Sequence, residues 1–298
     1  TMGMSSDPET AGRPNSPGLG AAVSAVVSAN LRLIAATALI CGLYYAAVPS
    51  GGFSIFVPVL VFAGLWLVLF GLNDKADHAA IERADRTPSN GQWTAVCGTA
   101  TALDDAPGDI LACRFQVFDR QDGLGRGGGS DSRDLKCRYD GFYLVPTGIE
   151  TTESTVKLAG FPDLVHIEKT PLENDLLIRA KEAAFSCPSY LPISVARQMV
   201  LKGVMDRVET SLSYGDEPQS SRGETRAWLL RPGDQVCVFG GWKDGALQPA
   251  GNRPRGLPVY AGTAEEVRER LKDDSGSFLW VGGVVLAAAA ALAAWSIL

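Results

Sequence analysis

Three long apolar runs dictate most of what this chain can fold into: Leu31 to Val48, Phe53 to Leu72 and Phe278 to Leu298. A hydrocarbon core ~30 Å thick is crossed by about 20 helical residues, so each run predicts a transmembrane α-helix. The chain is 298 residues long and 46% hydrophobic, and these runs hold the excess over a soluble composition. The first run is too long for the apolar region of a signal peptide, and a second follows after only a few residues. "AVPSGG", Ala47 to Gly52, supplies the Pro and two Gly of an uncharged tight connection. A transmembrane helical hairpin is therefore expected over 21–72. Residues 1–20, rich in Pro, Gly and Ser, have too few apolar groups to offset their ordering entropy and are expected to be a disordered tail.

The last run, 277–298, carries Trp280 and Trp295 fifteen positions apart, about 22 Å along a helix. Indole rings favour the two membrane interfaces, so these are the expected anchors in the bilayer, the first partner the sequence implies. Gly282, Gly283 and the run of alanines form a smooth surface on which another span can pack closely, in this chain or in a second copy.

Basic residues near the span ends set orientation. Arg13 and Arg32 flank the start of the first run, Lys75, Arg83 and Arg86 follow the second, and Arg268, Arg270 and Lys272 precede the third, whereas the hairpin loop and the C-terminus carry none. In a bacterial or archaeal host this places the N-terminus and the large polar segment in the cytoplasm. Arg32 is the only charge within a run, close enough to its end to snorkel. The net charge is -6 with no block of Lys and Arg, so no nucleic-acid partner is expected.

Between the second and third runs lie roughly 200 residues, enough for one domain with its own core. After a linker and juxtamembrane helix at 73–91, residues 92–262 show strand-like runs between turn signals: "WTAVCGTATAL", "LACRFQVFD", "KCRYDGFYLVPT", "TVKLAGF" and "DLVHIEKT". In the second, Leu111, Cys113, Phe115 and Val117 share one parity and Arg114, Gln116 and Phe118 the other, which predicts a strand with one core face. "ISVARQMVLKG", from Ile193, has helical spacing. The fold class expected is a membrane protein with three transmembrane α-helices and one mainly-β (α+β) cytoplasmic domain between spans two and three.

Short motifs in the domain read as structure rather than chemistry. "DGLGRGGGSDSRD", Asp122 to Asp134, is followed by a strand and not by the helix that phosphate cradling requires, so it is expected to be a hairpin connection. Arg231, Pro232, Gly233 and Asp234 suit a type II turn, with Val236 to Phe239 a buried strand ending at Gly240 and Gly241. Thr263 and Glu266 form a capping box opening a short amphipathic helix at 263–276. Of six cysteines, Cys41 falls in a span, and the odd remainder (Cys97, Cys113, Cys137, Cys187 and Cys237) shows no close pair, so buried free thiols in a reducing compartment are expected. The two histidines, His78 and His166, lack zinc-site spacing, and no Walker loop or nucleophile elbow occurs. No catalytic residue, metal or cofactor is expected.

The order "GQWTAVCGTATAL", "CRFQVF", "CRYDGFYLVPTGI", "RGETRAWLLRPGDQVCVFGGW", then "TAEEV" and a span resembles the GIDE-type membrane-bound E3 ubiquitin ligases. The resemblance covers Gln92 to Leu298 and is densest from Leu230 to Gly241. It implies a β-rich "beside a membrane" (BAM) domain. Family ligases also carry a C-terminal RING finger, whose zinc needs clustered Cys and His. No such cluster occurs here, so the resemblance does not carry the transferase activity over. A helical hairpin also stands before the domain where those ligases have one span. The expected function is a non-enzymatic, membrane-anchored sensor or scaffold with a membrane or cytoplasmic protein partner, in stress or defence signalling. The alternative is an E3 ligase-like component working with a separate RING or ubiquitin-like partner. Under the first reading, the final span is a second tether for the domain.

Overall fold

The computed structural model describes residues 56–84, 86–104, 109–120, 135–170, 207–213, 224–250 and 256–297, together with 35, 38, 39, 42, 175, 178, 184–186, 196, 197, 200 and 201. Of the first apolar run, Ala35, Ala38, Leu39 and Gly42 are helical. The rest of that run, the tail 1–20, the connection 47–52 and the loop 122–134 lie outside the described residues.

Among the described residues two helices are long and apolar enough to cross a membrane. Helix α1 spans Phe56–Ile81 and helix α2 spans Ala264–Ile297. Both exceed their apolar runs, because the helical backbone continues without a break into polar sequence. The amphipathic segment expected at 263–276 and the apolar run after it lie on one continuous helix, α2, whose 34 residues extend about 50 Å. The capping box opens it, with Thr263 N donating to Glu266 Oε2 at 2.8 Å and Glu266 N to Thr263 Oγ1 at 3.4 Å.

The two helices run antiparallel in close contact, and glycine permits the approach. A Cβ on Gly64 would stand 2.7 Å from Leu286 Cγ, one on Gly71 2.5 Å from Leu279 Cγ, and one on Gly282 2.9 Å from Val68 Cγ2. Small residues let backbones approach where lipid offers no hydrophobic drive. Gly282 thus serves the close packing its sequence suggested, while nothing lies within 4 Å of a Cβ built on Gly283. Trp280 and Trp295 stand outside the pair, 73% and 82% exposed.

The domain between the helices is built from two sheets. In the first, β1 (Trp93–Ala102), β4 (Thr147–Glu150), β5 (Thr155–Leu158), β12 (Ala246–Gln248) and β11 (Gln235–Lys243) pair in that order, and β11 returns to β1 to close a five-stranded barrel. Counted along the chain, the order round the barrel is first, second, third, fifth, fourth, and β5–β12 is its parallel pair. This is the connectivity of an OB-type Greek-key barrel. β13 (Leu257–Ala261) and β6 (Pro162–His166) extend the sheet beyond β11. The second sheet has the order β7 (Lys169–Thr170), β10 (Glu224–Leu230), β2 (Ala112–Arg120), β3 (Leu135–Leu144), β9 (Val208–Ser213), β8 (Ala184–Ser186).

One core joins them. Val96, Leu158 and Val238 from the barrel meet Phe142, Leu144 and Leu230 from the second sheet. The second sheet is buried on its other face too, through Cys113, Phe115, Val117, Tyr139 and Leu229. The expectation of a single core face on β2 is therefore corrected: Arg114 and Gln116 are also buried. Polar residues are tolerated there because β3 brings them a partner, described below.

Turn chemistry fixes the strand ends. Gly233 has φ +92° and Asp234 N donates to Arg231 O at 3.2 Å, as a type II turn requires. β11 does not end at Gly240 and Gly241 but continues to Lys243, then turns back through Asp244 and Gly245, both at positive φ, into β12. A two-residue Asp-Gly connection with positive φ at both positions suits the right-handed twist of a hairpin. Gly240 lies within β11, at a place where a Cβ would come within 2.7 Å of Leu257 Cδ2.

Candidate functional site

Two polar constellations stand out from the apolar framework, and both are assembled by strand register. The first lies on the barrel's outer wall, where the helix ends meet it. Alternation along β1 sends Val96 and Ala100 into the barrel and Ala95 and Cys97 outward. Along β11, Val236 and Val238 face in while Cys237 and Phe239 face out. The outward set is covered by Ala80 and Ile81 of α1 and by Val267 and Leu271 of α2. At the edge of this layer Trp93 Nε1 donates to Oδ1 of the buried Asp77 at 2.7 Å, tying the first residue of β1 to α1.

Cys97 and Cys237 are directly opposite one another in the β1–β11 ladder and form a disulfide, with Cα atoms 4.0 Å apart. This corrects the expectation of free thiols for these two residues. They are 140 positions apart, and only the register that closes the barrel brings them together, which spacing along the chain does not reveal. Cys113 and Cys137 remain thiols, the first buried and the second partly so. Cys41 and Cys187 lie outside the described residues.

The second constellation sits inside the domain. Gln116 on β2 pairs with Asp140 on β3, and Arg114 lies two residues back on the same face. Asp140 is wholly buried and accepts from Arg114 Nε at 3.2 Å and Nη2 at 3.4 Å, from Gln116 Nε2 at 3.1 Å and from Arg197 Nε at 2.9 Å. The Arg114 guanidinium also lies 5.5 Å from the Trp228 ring centroid and 5.9 Å from that of Phe142. Burying ions is costly unless charge and hydrogen bonding are satisfied together, and here two guanidiniums and an amide converge on one carboxylate. Arg197 comes from the helical residues around Ala196, so the network ties that segment to the second sheet.

Burial, reinforced by Asp140, pushes the Cys137 thiol up to about 11, so it stays protonated and weakly nucleophilic at neutral pH. His78 faces Glu82 across one helical turn at 3.9 Å, and His166 stacks on Tyr260 with ring centroids 4.0 Å apart. Among the described residues no group of three His, Cys, Asp or Glu side chains is placed to hold a metal ion.

Of the residues singled out in the sequence, Arg231 to Asp234 are gathered into one turn. Arg231 N donates to Asp234 Oδ2 at 2.7 Å, and Gly233 N to Ala100 O at 2.9 Å, so the turn prolongs the β1–β11 ladder. Trp280 and Trp295 face outward on α2 and join neither constellation. Asp140, Arg114, Gln116, Arg197 and Asp77 escaped sequence reasoning. The available signal was a pair of polar residues at alternate positions of an otherwise apolar strand. Comparison with protein families, with characterised proteins and with solved structures finds no match to this chain.

Proposed function

We propose that this chain is a multi-pass membrane protein whose β domain is a non-enzymatic binding or scaffold module, seated at the cytoplasmic surface of the bilayer. The observation that carries the reading is the apolar layer in which Ala80, Ile81, Val267 and Leu271 of the two membrane-length helices pack on the barrel wall. Through it the domain is packed against its tethers, not merely linked to them. Confinement to the surface raises its effective concentration for neighbours there. Lys75, Arg83, Arg86, Arg268, Arg270 and Lys272 support the cytoplasmic side, and Leu31 to Val48 supplies a further span. The likeness of its motifs to the GIDE-type family supports a BAM-like role beside the membrane, in stress or defence signalling.

By fold-level analogy, OB-type barrels bind through the face of their second and third strands. Here those are β4 and β5, which expose Glu150, Thr155 and Lys157. A photo-crosslinking residue at Thr155, in cells, is expected to give discrete adducts with a membrane or cytoplasmic protein. Absence of any adduct, together with turnover of a substrate by the purified protein, would overturn the reading.

A further inference from the structure

We propose that Cys97 and Cys237 form a reversible thiol–disulfide exchange site for low-molecular-weight thiols, a modification site on the barrel's membrane-proximal wall. The inference rests on the cytoplasmic placement argued above. In that compartment thiols are held reduced, and a disulfide that forms there is transient or redox-sensing.

Geometry supports exchange in three ways. The two cysteines are opposed by the β1–β11 ladder, whose register runs from Trp93 opposite Gly241 to Thr99 opposite Gln235. That ladder and the apolar layer above it hold the sulfurs facing one another whether or not they are bonded, so both redox states share one fold. Secondly, the members differ in access: Cys97 is partly exposed while Cys237 is wholly buried. Attack is therefore directed to Cys97. Thirdly, Cys113 is buried and the Cys137 thiol is held protonated, so neither competes for the bond.

The step balances as follows. A thiolate RS⁻ attacks Cys97 Sγ, a mixed disulfide forms on Cys97, and the electron pair of the broken bond leaves with Cys237 Sγ, which takes a proton. A second RS⁻ attacks the outer sulfur of the mixed disulfide, RSSR departs, and Cys97 Sγ takes the second proton. Two electrons pass from two RSH to the protein. Oxidised RSSR drives the reverse.

The test uses the full chain in native membrane vesicles, equilibrated across a series of reduced-to-oxidised glutathione ratios, acid-quenched and alkylated with a mass-tagged maleimide. The expected result is a two-tag shift at Cys97 and Cys237 that reverses when the ratio is reversed, with any trapped glutathione on Cys97. A pair that stays bonded, or stays free, across the whole series overturns the proposal. Orientation is read separately from Lys157→Cys with a membrane-impermeant maleimide. Labelling only in inverted vesicles upholds the cytoplasmic reading, and labelling in intact cells sinks it and the exchange proposal with it.

Discussion

Asp140 is the residue on which the second sheet's polar interior depends. Its carboxylate is the shared acceptor of Arg114, Gln116 and Arg197, so removing it leaves a buried guanidinium without its counter-charge. Breaking a buried pair in this way typically costs about 3–5 kcal/mol. Asp140→Ala is expected to lower stability by that amount in urea unfolding, with Arg197→Ala milder because its side chain is partly exposed. Cys137 gives a pH prediction at the same scale. Its folded-state pKa is about 11 against 9.0 unfolded, so between these values the unfolded chain loses a proton that the folded one keeps. Stability is accordingly expected to fall as pH rises from about 9 to 11, and Cys137→Ala should flatten that slope in pH-dependent denaturation.

The helix pair depends on the absence of side chains at three positions. Gly71→Leu is expected to push α1 away from Leu279 at a cost of about 1–3 kcal/mol, the range for overpacking. Gly283→Leu, on open surface, should be tolerated. Thermal unfolding in micelles separates the two. Gly233→Ala places a Cβ at φ +92° and should cost about 1–2 kcal/mol in the same assay. The helices and about half of the strands were legible because their signals are local: apolar length for α1 and α2, alternation for β2, Pro-Gly for the turn. What escaped was set by partners distant in sequence. Gly240 and Gly241 read as a strand end, yet Gly240 lies beside Leu257 and both pair within β11's ladders. Arg114 and Gln116 read as a solvent face until Asp140, more than twenty positions on, is placed beside them. The Cys97–Cys237 bond needs the same kind of knowledge across most of the domain.

At the scale of the whole fold, the barrel is closed by the β1–β11 ladder, and the disulfide crosses it. A cross-link spanning 140 residues restricts the unfolded chain strongly, by up to about 5 kcal/mol on the loop-entropy scale. Reduction is therefore expected to lower the thermal midpoint while leaving the far-UV circular dichroism of the folded state unchanged. A large spectral change on reduction would mean that the barrel's closure depends on the bond rather than on the ladder.

The unbroken α2 has a mechanical consequence. Its apolar stretch Phe278–Trp295 is long enough to cross a membrane, and its first turns press Val267 and Leu271 onto the barrel. If α2 crosses a bilayer as proposed, a helix without a break would pass the angle it takes up in a thin or thick membrane on to the strands it packs against. On the membrane placement proposed above, bilayer thickness would change how the exposed β4–β5 face is aimed along the surface.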